Sequence, residues 1–143
     1  EEAPAPEPES LSQEEPFTVT EEVYTRTFDE IEQLIVTLNE IIRNKDFETW
    51  LTHLSDEYVQ RTSNPEYLRE QSEQPLLKQN KIVLKSLRDY FIYVVVPSRS
   101  QTELYDIEFL DEDRVKAISI IRNTPGVLYL LVRVDDEWKI GVW

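Results

Sequence analysis

At 143 residues the chain fits one domain with a real core, and 40% hydrophobic with 31% charged residues is a globular rather than a disordered composition. It has no Cys, which excludes a disulfide framework, a thiol nucleophile and a zinc–thiolate site; His53, its one histidine, excludes a multi-histidine metal site within the chain. The net charge of −14 opposes a phosphate backbone or an anionic lipid surface, so nucleic acid and direct membrane docking are not expected.

Residues 1–16, EEAPAPEPESLSQEEP, hold six glutamates, no base and four of the eight prolines. Proline blocks helix continuation and the glutamates repel one another, so residues 1–22 are expected to be an extended, disordered tether, with one domain over residues 23–143. Removing the −6 of this stretch from −14 still leaves −8 on the remainder. Met is absent even at position 1, from which a longer precursor is expected. No apolar run approaches the roughly 20 residues that span a bilayer, and no signal-peptide pattern opens the chain.

The first strong element is FDEIEQLIVTLNEIIRN. Ile31, Leu34, Ile35, Leu38, Ile41 and Ile42 fall on one helical face, with Asp29, Glu30 and Glu32 toward its positive pole and Arg43 and Lys45 at the other. DFETWLTHLS follows almost without a linker, with Asp46 as its cap and Phe47, Trp50, Leu51 and Leu54 as its apolar stripe. SDEYVQRTS is read as a strand or turn on the β-prone Tyr58 and Val59. In NPEYLREQSEQP, Asn64 caps a helix that opens with Pro65 and ends at Pro75.

DYFIYVVVPSRS fails the alternation of a strand, because every position of YFIYVVV is apolar. Leu87, Tyr90, Phe91, Val94 and Val95 instead keep helical spacing, Ser86 with Asp89 forms a capping start, and Pro97 is the expected stop. Three valines lower helix propensity by a few tenths of a kcal/mol each, which burial of one large side chain, roughly 1.5–3 kcal/mol, overrides.

The last third reads as strands. Tyr105, Ile107 and Phe109 alternate with Asp106 and Glu108; RVKAISIIRN and VLYLLVRVD flank a turn at NTPG; DDE turns into WKIGVW, with Trp138, Ile140 and Val142 on one face. Helices first and an antiparallel meander last make an α+β fold.

A long helix running into a second through NKDFETWLTHLSDEY, then a third helix and a meander ending in DDEWKI, resembles the nuclear transport factor 2-like superfamily of ketosteroid isomerases and polyketide cyclases. The resemblance covers about residues 24–143 and rests on element order, on the helix pair with Asp46 and Trp50, and on the strand around Trp138. It implies a cone: a curved antiparallel sheet packed on the N-terminal helices, a cystatin-like roll with a cavity at its open end, and often a homodimer through the sheet. The acidic, Pro- and Ala-rich tether similarly resembles the segment after the lipidated cysteine of bacterial lipoproteins. That implies an exported, envelope or surface location, with membrane contact only through a lipid anchor outside this chain.

The superfamily's enzymes use a cavity carboxylate or histidine beside a hydrogen-bond donor. His53 lies three residues before Asp56, near enough on a helix to pair with it, and Asp89 with Tyr90 or Tyr93 makes an acid–phenol couple, although capping already explains Asp89. No residue matches a family catalytic pattern, so no catalytic residue is assigned. Gly126 and Gly141 alone build no phosphate loop, and DED and DDE lack calcium-loop spacing, so no metal and no cofactor are expected. Lys78, Lys81, Lys85 and Arg88 would make a basic stripe only on one helix, which the cap at Ser86 interrupts.

Candidates for the cavity or its mouth are Trp50, His53, Tyr58, Tyr93, Arg99, Tyr105 and Phe109. Aromatic side chains at such spacings are more often core than lining. The expectation is a non-catalytic domain that binds a small molecule or a protein. The alternative is a small-molecule enzyme of isomerase, dehydratase or hydrolase type with an acid or histidine in the cone. A structural or dimerisation module is a third reading.

Overall fold

A computed structural model describes residues 17–143 of the chain, so the tether expected over residues 1–22 lies outside the described residues as far as residue 16. Phe17 packs its ring 5.5 Å from Phe109, and Thr20 caps helix α1 (Glu21–Arg43) by accepting from the Val23 amide at 3.1 Å. The helix thus starts inside the stretch assigned to the tether, because a threonine cap followed by Glu21 and Glu22 suits a helix N-terminus. Ile31, Ile35, Leu38, Ile41 and Ile42 are its buried apolar stripe, as their spacing predicts.

Three residues separate α1 from α2 (Phe47–Leu51), Lys45 taking a left-handed φ of 56° and Asp46 capping through the Thr49 amide and hydroxyl. The stretch read as a strand or turn is instead helix α3 (Asp56–Ser63). Ser55 accepts from the Tyr58 amide at 3.1 Å, and Tyr58 and Thr62, four apart, form the buried face; these local signals outweigh the β preference of two residues. Helix α4 (Pro65–Ser72) has the Asn64 cap and leading proline that the sequence predicts. Pro75 does not close it but opens α5 (Pro75–Gln79). Leu68, Leu77 and Leu84 join these pieces in a small apolar cluster, braced by Ser72, whose hydroxyl accepts from the Leu84 amide.

The aromatic run is helical. Leu87–Tyr90, Phe91–Val95 and Val96–Arg99 follow without a break and together make α6, capped by Ser86. Its middle is a π turn, in which the Val96 amide donates to the Phe91 carbonyl five residues back. Pro97 was expected to stop the helix, yet the chain continues to Arg99. The π turn already interrupts the i→i−4 ladder just ahead of Pro97, so the amide that proline lacks costs little there.

Strands β1 (Asp106–Asp111), β2 (Arg114–Ile121), β3 (Thr124–Val134) and β4 (Glu137–Ile140) form an open antiparallel meander in chain order. The β2–β3 turn is Arg122-Asn123, both at positive φ, and not the expected NTPG; Pro125 and Gly126 pair with Ile120 and Ser119 inside the ladder. Asp135-Asp136, again both at positive φ, make the β3–β4 turn; two-residue turns of this kind match the twist of the strands they join. A bulge opposite Ala117–Ile118 inserts Leu128 as an extra residue, so Leu128 and Tyr129 are both buried and the sheet bends.

The helices cover the inner face of this α+β sheet. Ile31, Ile35, Leu38 and Ile42 of α1, Trp50, and Phe91 of α6 meet Val115, Ala117 and Leu131 in one core. The open edge of β4 is held by residues 53–55: Ile140 donates to the His53 carbonyl and accepts from the Ser55 amide, each at 2.8 Å. Among the described residues no helix is long and apolar enough to cross a membrane.

Candidate functional site

Between α6, α3 and the β3–β4 end of the sheet lies a cavity of about 250 Å³. The π turn supplies Val94 and Val95, and the last turn of α6 brings Ser98 and Arg99 over the bulge, where Val127, Leu128, Tyr129 and Leu130 form the opposite wall. Trp50, Tyr58 and Tyr90 close the inner side, with Arg61 of α3 at the rim. Gly141 borders the cavity as well. A Cβ there would stand 2.9 Å from Val132 Cγ1, so only glycine permits this approach of the chain after β4.

The aromatic wall is tightly built. Trp50 lies 4.7 Å from Phe91 and meets Tyr58 edge-on at 6.0 Å. Arg99 is fixed by its Nε donating to the Leu128 carbonyl at 3.3 Å and Nη1 to the Ser98 carbonyl at 3.4 Å, with the guanidinium 5.9 Å from the Tyr129 ring centre. Arg61 sits 5.2 Å over the Tyr67 ring.

Burial dominates the electrostatics. It pushes the Tyr129 phenol up to about 12, although the nearby Arg99 charge opposes the shift. The Tyr58 and Tyr90 phenols are likewise raised by burial, so all three remain protonated at neutral pH. Three buried polar side-chain atoms have no partner among the described residues: Trp50 Nε1, Tyr129 Oη and Trp143 Nε1. The first two belong to cavity residues, and an unmatched buried donor costs roughly 1–3 kcal/mol.

A second, larger hollow of about 810 Å³ lies on the far side of Arg99, between Asn39 and Arg43 of α1, residues 101–105 and the β2–β3 hairpin. Its walls include the exposed Tyr105, Ile120 and Ile121, and Asn39 pins its floor through two 2.8 Å hydrogen bonds with Thr102. Arg99, Ser98 and Leu128 line both spaces. The smaller cavity is the better site despite its size, because it has buried lining groups whose hydrogen-bonding capacity is unused.

Of the residues singled out from sequence, Trp50, Tyr58 and Arg99 come together on this cavity, and Tyr105 lies in the larger hollow. Tyr93 is exposed on the outside of the π turn, and Phe109 packs against Phe17. His53 occupies the turn after α2, which ends at Leu51, so no helix carries it alongside Asp56; it is a helix-end histidine with Lys139 and Glu137 as neighbours rather than half of an acid–imidazole pair. Burial, with Lys139 beside it, holds the His53 pKa below its usual value, Glu137 opposing. Asp89 serves the start of α6, its carboxylate accepting from the Lys85 amide at 2.9 Å. Sequence reasoning missed Arg61 and Tyr129 as lining, and named Tyr90 only as a partner for Asp89. Arg61 depended on recognising α3, for which Ser55 was the available signal; Tyr129 depended on the bulge. Among the described residues, no acid and no imidazole lines the cavity, and no three His, Asp or Glu side chains converge as a metal site.

The chain is 33% identical over 122 residues to an uncharacterized lipoprotein of Treponema pallidum (strain Nichols). The match covers 85% of this chain and 64% of that relative's length. No protein-family model and no solved structure matches the chain.

Proposed function

We propose that this chain is the ligand-holding domain of an exported lipoprotein of the cell envelope, of the nuclear transport factor 2-like kind, with the acidic, proline-rich start as a tether and the domain beginning by the cap of α1 at Thr20. The observation that carries the reading is the cavity under α6, where Trp50 and Tyr129 hold buried polar atoms without partners on a lining of phenols, arginines and aliphatic side chains. The lipoprotein relative and the acidic, proline-rich start of the chain support the envelope location. The helices-then-meander order and the long helix turning into α2 at Asp46 support the superfamily. Binding is proposed without catalysis, since the lining offers donors and no carboxylate or imidazole base among the described residues.

Native mass spectrometry of the purified protein tests this. The expected result is a small adduct retained by the wild type and absent from Val94→Trp, which fills the cavity. A wild type that flies bare, or an adduct that survives Val94→Trp, rejects the cavity as the binding site.

A further inference from the structure

The cavity is chemically one-sided, and its bias is opposite to that of the whole protein. The chain carries 29 acids against 15 bases, yet none of the acids borders the cavity among the described residues. Two arginines, three phenols and an indole do. A guanidinium has no acceptor and an indole N–H only donates; the phenols, kept protonated by burial, each carry a donor beside their acceptor oxygen, and Tyr90 shares its hydroxyl with Tyr67. The Ser98 hydroxyl is already committed to the Val94 carbonyl at 2.6 Å.

Four arginines, Arg69, Arg88, Arg114 and Arg133, lie within ion-pair distance of a carboxylate. Arg61 and Arg99, like Arg26, Arg43 and Arg122, have no acid partner among the described residues, and of these five only Arg61 and Arg99 border this cavity. Arg99 spends Nε and Nη1 on backbone carbonyls, which fixes the plane of its fork and leaves Nη2 unspent. Its guanidinium lies beside the ring of Tyr129, whose hydroxyl has no partner. The apolar side chains of Val94 and Val95 and the Trp50 ring complete the lining. A volume of about 250 Å³ equals the share of roughly eight waters in the liquid, enough for a small organic molecule and too little for a large one.

We propose that the cavity takes a small organic anion, a carboxylate on an apolar body, with the carboxylate at Arg99 and Tyr129, Arg61 at the mouth and the body against Trp50 and the valines. The proposal rests on the reading above that this cavity holds a ligand. A carboxylate is the planar acceptor that a guanidinium fork and a phenol hydroxyl satisfy together. A cation would meet two positive charges that no acid offsets among the described residues, and a neutral amide would leave them so.

The test is NMR titration of the full chain with benzoate, benzamide and inorganic phosphate, following the Trp50 indole N–H assigned by Trp50→Phe. Benzoate is expected to shift that signal and to bind about tenfold or more tightly than benzamide, the scale of one charge-assisted hydrogen bond. Arg99→Gln should erase the preference and Arg99→Lys retain part of it. Should Arg99→Gln fail to fold, Tyr129→Phe, which removes only an unpartnered hydroxyl, should weaken benzoate selectively. Benzamide binding as tightly as benzoate overturns the anion assignment and leaves the ligand-holding cavity standing. Phosphate matching benzoate overturns the requirement for an apolar body. No shift with any probe removes both readings.

Discussion

Trp50 and Trp138 belong to the same apolar core and are 1% and 8% exposed, yet the protein finishes one and leaves the other open. At the Trp138 end, the indole N–H donates to the Glu30 carboxylate at 3.1 Å, Arg133 lies 4.3 Å over the ring, and Asp113 stands 3.9 Å from that arginine. At the Trp50 end the ring packs on Phe91 and Tyr58, but among the described residues the N–H finds no partner and the arginines nearby no acid. Identical side chains thus separate a region completed by its own groups from one whose unused donors suit an incoming acceptor.

The comparison can be broken at several depths. The largest effect is expected from Trp50→Ala, because the ring is packed even though its N–H is idle: about 3–5 kcal/mol of stability by chemical denaturation, as for other large-to-small aromatic changes in cores. A cost below about 1 kcal/mol would mean that the aromatic wall is not packed.

Alkaline pH comes next and should act on the open end. The folded pKa of Tyr129 is raised to about 12 from an ordinary 10, so the fold favours the protonated phenol. Its contribution is therefore intact below pH 10 and lost as pH rises from there through about 12, with Tyr58 and Tyr90, also raised, ionising in the same direction. The urea midpoint should fall over that range, and less steeply in Tyr129→Phe. A midpoint unchanged to pH 12 would contradict the burial of these phenols.

The smallest and sharpest test replaces each indole by phenylalanine. Trp138→Phe forfeits a hydrogen bond to a carboxylate and part of a cation–π contact, about 1 kcal/mol beyond the shared packing loss. Trp50→Phe forfeits packing alone. Equal costs in urea melts would erase the distinction between the two ends.

Much of the fold was legible where local chemistry and periodicity agree: the isoleucine stripe of α1, the caps at Asp46, Asn64 and Ser86, and a meander in the last third. Helix α3 was hidden because Tyr58 and Val59 speak for a strand, while the Ser55 cap is one quiet residue. The β2–β3 turn was misplaced for a similar reason. Pro125-Gly126 carries strong turn chemistry, but the two-residue loop uses Arg122-Asn123, and an arginine at φ 52° announces nothing in sequence. Trp50, Tyr58 and Arg99 could be nominated for the site as large side chains near predicted element ends. The unpaired states of Tyr129 and Arg61 could not, since lacking a partner is a property of the folded neighbourhood.

The π turn in α6 gives the site one more property. Spending an extra residue in that hydrogen-bonded ring turns everything after Val95 by about 100° around the helix axis relative to an uninterrupted α-helix. The heading of Arg99, toward the bulge and Tyr129, is therefore a matter of counting residues between Phe91 and Val96 rather than of the residue types there. Loss or gain of a single codon in this stretch would swing the arginine away while leaving the helix a helix. The chemistry of the cavity can thus be rewritten in evolution by length, with the core residues themselves unchanged.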